Sequence, residues 1–581
     1  MKSALLTGEN GTIARCAQFI RFVNQKVEGV RGKWLEIAAF ALYVIAHLLI
    51  SMVHEPWYDE AVAWNIAKCA SIKEILFEIP HYEGHPPLWH LILVPFAKLG
   101  APYELSLSIV SLIFAGAACA LIIWKAPFPR IIRILLPFTY FFFFQYGVIS
   151  RPYCVMMLVF VLLAMVYHKR NEQPWKYTIL LMSLCLTSAY GIVIAGGLAA
   201  VWVFEIWNLQ KLNVFIKSMC KDKRILCLIS LLVFAVLLIL EIMPHADAYA
   251  IDRNVSRTNS LLLCLSYMLL ALPIEVSVSS IYTAGTYLTT AEFFLPVLIS
   301  TCALGVVFWF FAILWGNRKK TTWLLIVPYV LFSVFAALVY MYTHHIGIGL
   351  LFFVFWFWVS CEAKSNVSIV ERFSVPTGIL MKNILTVFCG AALIVSLYWN
   401  ISSCAQDVVD VYAAGRNEAA FIKENGLENY RIMANWSVTV DKDGNVIKMD
   451  TNACPSADNI APYFDHNLFF NFNDGRDDLN YSTHKVSSDE EDNAKFEEWK
   501  QALPDVCYMM SKNSSYDAKF PIELVYEDLD FLEEYSLVYV NTNNMVWKGV
   551  ERPKRSVIYV KKELAEELGL TVLDIYGNPK N

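Results

Sequence analysis

Residues 35–60 read LEIAAFALYVIAHLLISMV followed by HEPWYDE, a long apolar run that leads to the adjacent carboxylates Asp59 and Glu60. The run is long enough to cross a bilayer as a helix and carries one charged side chain, Glu36. Adjacent carboxylates at a membrane surface are costly unless they are paired, solvated or used in chemistry. They mark a candidate reaction centre. The alternative is structural, because acidic residues also favour the first turn of a helix.

Hydrophobic composition extends this pattern to most of the chain. Of 581 residues, 57% are hydrophobic and 17% are charged, and the mean hydropathy is +0.46. These values exclude a soluble enzyme and predict a polytopic α-helical membrane protein. No motif predicts nucleic acid as a partner. The further apolar windows are 104–124, 176–204, 225–243, 293–315, 322–341 and 383–399.

The distribution of basic residues predicts how the helices are oriented. With residues 1–34 in the cytoplasm and 86–99 as an amphipathic helix on the outer surface, 23 of the 29 Lys and Arg residues before position 401 lie inside. This arrangement predicts about 11 spans within 35–400 and places the loop 54–103 outside. The same outer face receives the turns near 150–153, 190–191 and 342–345 and a long loop over 244–292.

Charge also separates the last part of the chain from the rest. Residues 401–581 hold 32 acidic and 18 basic residues, whereas residues 1–400 hold 20 and 29. We therefore expect a water-soluble, extracytoplasmic domain over 401–581. Its pattern is mixed α/β, with a helix at 418–424, a solvated loop at 473–494, and strands at 431–440, 506–510, 537–540 and 556–560.

A second polar cluster in the outer loop contains His81, Glu83 and His85, directly before Pro86 and Pro87. Imidazole and carboxylate groups at this spacing could hold a divalent metal. The favoured interpretation is a rigid helix start whose imidazole binds an anion or orients a carboxylate. The metal itself stays unassigned.

Cations follow at later turns of the same face. Arg151, in the sequence RPY with Tyr153, is a lone cation between apolar runs, and a phosphate is its natural partner. The structural alternative is snorkelling towards lipid headgroups. We also expect His344, His345 and Arg253 to contribute to an anion site.

The order of these motifs resembles the GT-C glycosyltransferases, in particular the protein O-mannosyltransferases and the aminoarabinose transferases of lipid A. The resemblance covers about 34–400 and rests on the acidic pair, the HPPL helix start, the RPY turn and the late turn with histidines. Residues 401–581 lack the repeated β-trefoil character of eukaryotic mannosyltransferases.

The resemblance implies an integral enzyme of the cell (plasma) membrane that acts in cell-envelope glycosylation. It implies a polyprenyl-phosphate-linked sugar donor and a protein, lipid or glycan acceptor on the outer face. Asp59 matches the base or acceptor-orienting group, and Glu60 matches the second acid. We expect in-line displacement with inversion at the sugar, with cations stabilising the leaving phosphate and no required cofactor.

Two other functions share some of these features. A polymerase that joins lipid-linked oligosaccharides would use the same donor chemistry on the same face. A transporter or flippase would also have many spans, but it predicts charges at mid-span and internal symmetry, which the sequence does not show.

Overall fold

The computed structural model describes residues 11–209, 222–248, 258–282, 286–363, 375–434, 437–440, 446–450, 455–471, 490–491, 494, 498, 501–510, 534–551, 553–574 and 576–580. Helices dominate this part of the chain from residue 12 to residue 409. They are α1 (Thr12–Glu28), α2 (Trp34–Val53), α3 (Tyr58–Cys69), α4 (Ile72–Phe77), α5 (Ile79–Glu83), α6 (Leu88–Lys98), α7 (Tyr103–Lys125), α8 (Arg130–Leu135), α9 (Tyr153–Tyr167), α10 (Pro174–Cys185), α11 (Ala189–Leu209), α12 (Lys223–Ile242), α13 (Leu261–Ser266), α14 (Leu272–Glu275), α15 (Leu295–Lys319), α16 (Thr322–Leu338), α17 (Gly347–Glu362) and α18 (Val375–Val409), with π-helical segments at Phe141–Val148 and Tyr267–Ala271.

Eight helices among the described residues are long and apolar enough to cross a membrane. They cover Trp34–Val53, Tyr103–Lys125, Arg130–Val148, Ala189–Trp207, Lys223–Ile242, Leu295–Lys319, Thr343–Glu362 and Lys382–Val409. Four more helices are apolar but shorter, namely Leu88–Lys98, Tyr153–Tyr167, Leu261–Glu275 and Thr322–Leu338. The predicted helical class is confirmed with eight candidate membrane spans, and the number of about 11 spans stays a prediction.

Two local predictions differ from the structure. The window 176–204 contains two helices, α10 and α11, which are separated by a turn at 186–188. The loop predicted over 244–292 contains the helical segment Leu261–Glu275, so the prediction is wrong for these residues. Its apolar run LLLCLSYMLLA favours a helix but is shorter than a bilayer-spanning run, which explains why span length alone missed it.

Helix α6 begins directly after Pro86 and Pro87, as expected for an HPP helix start. Its 11 residues rise about 16 Å, which is too short to cross the hydrocarbon core. The helix packs against α3, the helix that begins with Asp59 and Glu60 in its first turn. The short helix in 86–99 is therefore present, and its placement on the outer membrane surface stays a prediction.

The N-terminal helix α1 packs along α18 and near α8, so the described part of the 1–34 segment belongs to the helical domain. Arg130, at the start of α8, ties these parts together. Its guanidinium donates to both oxygens of the Glu36 carboxylate (2.8 and 2.6 Å) and to the carbonyls of Val30 (2.6 Å) and Gly32 (2.7 Å). This buried cation closes the turn between α1 and α2.

Residues after α18 form a separate unit with its own apolar core. Its elements are α19 (Gly415–Glu424), β1 (Ile432–Ala434), β2 (Ser437–Val440), β3 (Val446–Asp450), α20 (Pro455–Ile460), β4 (Val506–Met510), β5 (Tyr535–Asn544), β6 (Pro553–Lys561) and α21 (Lys562–Glu567).

The main sheet has the order β1-β4-β6-β5, with β1 and β4 parallel and the other pairs antiparallel, while β2 and β3 pair separately. The expected mixed α/β character of this unit is confirmed by these elements. Most of the solvated loop predicted over 473–494 lies outside the described residues. Cys404 and Cys507 are free thiols.

The C-terminal unit contacts the helical domain at the segment that carries the acidic pair. Arg416 donates to both oxygens of the Glu104 carboxylate (2.8 Å each), and the Tyr463 hydroxyl donates to the same carboxylate (2.6 Å). Lys68 pairs with Asp465 at 2.9 Å. The C-terminal unit and residues 54–104 therefore lie at the same end of the helical domain.

A tight turn at 547–550 inserts the C-terminal unit into the helical domain. Lys548 and Gly549 both have positive φ (50° and 79°), as in the type I′ hairpin turn. The Lys548 ammonium is fully buried and donates to the Glu275 carboxylate (2.8 Å) and to the carbonyls of Glu275 (2.7 Å) and Ser279 (2.9 Å). It also lies 4.4 Å from the ring of Trp399. We refer to residues 547–550 as the tip.

Candidate functional site

Asp59 lies in the first turn of α3 and forms an ion pair with Arg151. The side chains are 22% and 10% exposed, so the pair is largely withdrawn from water while the carboxylate keeps some access. His344 Nε2 lies 3.9 Å from the same Asp59 oxygen. Three groups singled out at widely separated positions in the sequence therefore meet at one point.

Arg151 is delivered by a break in the helical framework. The π-helical segment ends at Val148 and α9 begins at Tyr153, so residues 149–152 form the connection. Pro152 lacks a backbone N–H and suits the position directly before a helix. The guanidinium carbon lies 5.9 Å from the Tyr153 ring, and burial lowers the pKa of Arg151 from its ordinary value. The side chain is thus a desolvated cation at a helix junction.

Glu60 is almost completely buried, with 1% exposure, and its carboxylate joins two backbone segments. One oxygen accepts from the backbone N–H of Trp57 (3.1 Å), and the other accepts from the N–H of Ser150 (2.6 Å). Trp57 precedes the helix of Asp59, and Ser150 precedes Arg151. The expected catalytic role therefore fits Asp59, whereas the contacts of Glu60 fit a positioning role.

His344 and His345 form a short 3-10 turn and have different surroundings. The Nε2 atom of His344 is buried and forms no hydrogen bond with any described residue, and its ring lies 5.7 Å from that of Trp57. His345 is fully buried, and its Nδ1 accepts from the N–H of Tyr342 (3.2 Å) and contacts the Tyr190 hydroxyl (3.3 Å). His344 thus faces the ion pair, whereas His345 is held within the fold.

The first-loop residues divide into two groups. His81 Nδ1 contacts the Met243 carbonyl (2.6 Å), and its ring stacks on His245 at 4.0 Å. Glu83 interacts electrostatically with His90, and His85 does so with His344. His85 thus interacts with a residue of the Asp59 site, whereas the contacts of His81 lead to residues 243–245.

A metal centre in the first loop finds no support in the described part of the chain. No group of three or more His, Cys, Asp or Glu side chains there is arranged to hold a metal ion. The predicted phosphate ligand Arg253 lies outside the described residues.

Several residues around the site were not singled out as functional from the sequence. His54, directly after α2, lies between the carboxylates of Asp407 (Nδ1 to Oδ2, 2.9 Å) and Glu60 (Nε2 to Oε2, 3.4 Å). Burial opposes protonation, but the two carboxylates outweigh it and raise the pKa of His54 to about 10. A histidine next to a span was visible in the sequence, but its partner 353 positions away was not.

Glu55 lies beside this histidine and faces the C-terminal unit. Its carboxylate is 4% exposed and lies 3.9 Å from Arg416. Burial raises the pKa of Glu55 to about 7, although Arg416 opposes the shift. The Arg416 guanidinium also donates to the His54 carbonyl (3.2 Å), so the C-terminal unit reaches the segment directly before Asp59.

The geometry on its own describes a partly buried carboxylate–guanidinium pair with a neighbouring imidazole, at a junction between apolar helices. No family model, curated protein or solved structure matches this chain. The GT-C resemblance therefore rests on the motifs and on their placement. Chemically, the three side chains can bind an anion through the guanidinium and accept a proton through the carboxylate.

Proposed function

We propose that the protein is a membrane glycosyltransferase that moves a sugar from a polyprenyl-phosphate-linked donor to an acceptor hydroxyl. The observation that carries this proposal is the Asp59–Arg151 ion pair with His344 beside it. A carboxylate that can take a proton and a cation that can hold a phosphate lie in contact, as transfer of a sugar from a phosphate requires.

Arg151 provides the donor side of the reaction. The oxygens of the leaving phosphate gain charge as the glycosidic bond breaks, and a preorganised guanidinium stabilises that charge in a desolvated site. The incoming phosphate competes with Asp59 for Arg151, so donor binding loosens the ion pair. His344, whose Nε2 has no hydrogen-bond partner among the described residues, supplies a further contact for the phosphate.

Asp59 provides the acceptor side. Once Arg151 holds the phosphate, the carboxylate is free to accept the proton of the attacking hydroxyl. Attack opposite to the leaving phosphate inverts the anomeric centre. Glu60 binds the backbone N–H groups of Trp57 and Ser150. These contacts fix the positions of Asp59 and Arg151, which face the substrate.

A lipid-linked donor fits the position of the site at the end of apolar helices. The bilayer keeps such a donor in the plane of the membrane and its phosphate at the surface. The helical domain also contains an apolar cavity of about 260 Å³, lined by residues such as Pro273, Trp315, Phe357 and Cys389. This cavity extends to Phe128 and Pro129, at the opposite end of Arg130–Val148 from Arg151, so it does not by itself locate the donor at the site.

The proposed orientation puts Asp59 and the C-terminal unit on the outer face of the cell membrane. Two observations support it, namely the excess of basic residues on the opposite side and the contacts of Arg416 and Asp465 with residues 54–104. A protein, lipid or glycan acceptor would then approach from outside, beside the C-terminal unit.

We expect cysteine labelling in intact cells to verify this orientation. In a background with Cys16, Cys69, Cys220 and Cys454 replaced by serine, Glu566→Cys on helix α21 should react with a membrane-impermeant maleimide. Lys169→Cys, at the other end of α9 from the site, should react only after the cells are opened. Labelling of Lys169→Cys alone in intact cells would reverse the placement.

The function is tested with purified full-length protein and a radiolabelled polyprenyl-phospho-sugar. We expect release of polyprenyl phosphate together with sugar transfer to a hydroxyl acceptor. Products that lengthen stepwise on the lipid carrier would identify a polymerase. Movement of intact donor across vesicles without bond cleavage would identify a flippase and contradict the proposal.

Arg151→Ala should weaken donor use strongly, because a desolvated contact between arginine and phosphate contributes about 1.5–3 kcal/mol. Arg151→Lys should recover part of the loss, since it keeps the charge but not the planar fork. Donor binding and turnover are measured for both, with Arg170→Ala as a control that breaks the Arg170–Glu205 ion pair at the far end of α9. Normal donor use in both Arg151 variants would contradict the phosphate-binding role and favour snorkelling of Arg151 to lipid headgroups.

A further inference from the structure

His54 has a carboxylate at each ring nitrogen. Nδ1 lies 2.9 Å from Asp407 and Nε2 lies 3.4 Å from Glu60, and all three side chains are at least 95% buried. A neutral imidazole has one donor and one acceptor nitrogen, so it would set a lone pair against one of the carboxylates. An imidazolium donates to both carboxylates without a proton on either of them, and the raised pKa of His54 agrees with this charge.

Two groups of paired charges lie in this part of the structure. Asp407 is followed by His54, and His54 by Glu60, while Arg151 and Asp59 form the next pair. Glu60 connects the two parts, because it accepts from the N–H of the residue before Arg151 and from the N–H that opens the helix of Asp59.

The C-terminal segment holds the histidine from three sides. Asp407 lies in the last turn of α18, the Tyr412 ring lies 4.8 Å from the imidazole, and Arg416 donates to the His54 carbonyl (3.2 Å). These residues belong to one stretch, 407–416, which links the helical domain to the C-terminal unit.

We propose that His54 and Asp407 are positioning residues for sugar transfer: the imidazolium, held by Asp407, balances the charge of Glu60, which fixes the segments that carry Asp59 and Arg151. This inference rests on the proposed function. Without the imidazolium, Glu60 is a buried carboxylate with no cation beside it, and it takes up a proton or attracts Arg151. Its hydrogen bonds to Trp57 and Ser150 weaken in the first case, and the Asp59–Arg151 pair loosens in both.

The test compares His54→Gln, Asp407→Asn and the double variant with the unmodified full-length protein. His168→Gln is the control for a histidine substitution away from the site, because this exposed histidine forms one hydrogen bond (Nε2 to the Val359 carbonyl, 2.9 Å) and lies at the opposite end of α9. We expect kcat to fall about 10²-fold in His54→Gln with little change in donor KM, since small misplacements of reacting groups cost about that much. The double variant should lose little more than either single one, because the two residues act as a unit.

The second readout does not depend on activity. A water-soluble carbodiimide reacts with protonated carboxyl groups, so an intact ion pair with Arg151 protects Asp59. We expect peptide mass spectrometry to show several-fold more modification of Asp59 in His54→Gln and Asp407→Asn than in the unmodified protein or His168→Gln. If His54→Gln is not recovered as a monodisperse protein, Asp407→Asn, which preserves side-chain size, carries the test.

Unchanged modification of Asp59 in the recovered variants would overturn the positioning role, even where kcat falls, because the loss would then arise elsewhere. An unmodified protein that transfers no sugar would instead contradict the proposed function. Increased modification of Asp59 in that same experiment would still support the structural coupling through His54.

Discussion

Asp59→Asn is expected to abolish sugar transfer while the protein still folds and binds donor. Asparagine keeps the size and hydrogen-bonding capacity of the side chain but cannot accept a proton, and general-base catalysis contributes about 10²–10⁴-fold. The ion pair adds a prediction about donor binding. In Asp59→Asn, Arg151 no longer has to leave a carboxylate to bind the donor phosphate. Donor affinity in Asp59→Asn should therefore be equal to or higher than that of the unmodified protein.

Turnover and donor binding are measured on the same preparations, with Glu60→Gln beside Asp59→Asn. Glu60 is expected to act through position, so its variant should retain more activity than Asp59→Asn. Full activity in Asp59→Asn would exclude Asp59 as the catalytic base and favour the structural role of the acidic pair at the start of a helix. Loss of donor binding in both variants would favour a shared ligand role, such as a metal site, over general-base catalysis.

Lys548→Met is expected to lower the free energy of unfolding by about 3–5 kcal/mol, because removal of one partner leaves the other charge buried and uncompensated. Lys548 and Glu275 are both fully buried, and the ammonium satisfies three acceptors. Methionine keeps the length of the apolar stem but donates no hydrogen bond. Denaturant titration in detergent, followed by tryptophan fluorescence, measures the change.

Two further variants serve as controls for the stability measurement on Lys548→Met. Lys561→Met removes a more exposed ion pair with Asp505 (36% and 35% exposed), and it should cost less than about 1 kcal/mol. Adding Glu275→Gln to Lys548→Met should restore part of the stability, since the uncompensated charge is then gone. Equal effects of Lys548→Met and Lys561→Met would show that the tip contributes little to cohesion of the two units.

Much of the helical framework could be predicted because bilayer-spanning helices impose length and composition on the sequence. The segments that carry Asp59, Arg151 and His344 could also be predicted, since each interrupts an apolar pattern with polar residues. Strands in the C-terminal unit were also visible from their β-branched and aromatic runs, except β3 (Val446–Asp450), which was not predicted. Local pattern is sufficient for features of this kind.

Long-range pairing was not visible, because no local pattern records which partner a buried charge will find. His54 meets Asp407 353 positions later, and Arg416 meets Glu104 312 positions earlier. His81 alternates with Glu83 and His85 in the sequence, yet its ring stacks on His245. The direction of a side chain depends on the packing of neighbouring elements, which the spacing of residues in a loop does not determine.

The tip also sets an order of events during synthesis. Lys548 follows Glu275 by 273 positions, so at ordinary translation rates the carboxylate waits on the order of tens of seconds for its partner. During that interval the Glu275 carboxylate lacks its ammonium partner and has only backbone donors such as the N–H groups of Ile281 and Tyr282. The helical bundle therefore reaches its final packing only after the last part of the chain has folded. Nascent chains that stop before Lys548 retain an unmatched acid at their centre, a feature by which membrane-protein quality control could recognise them.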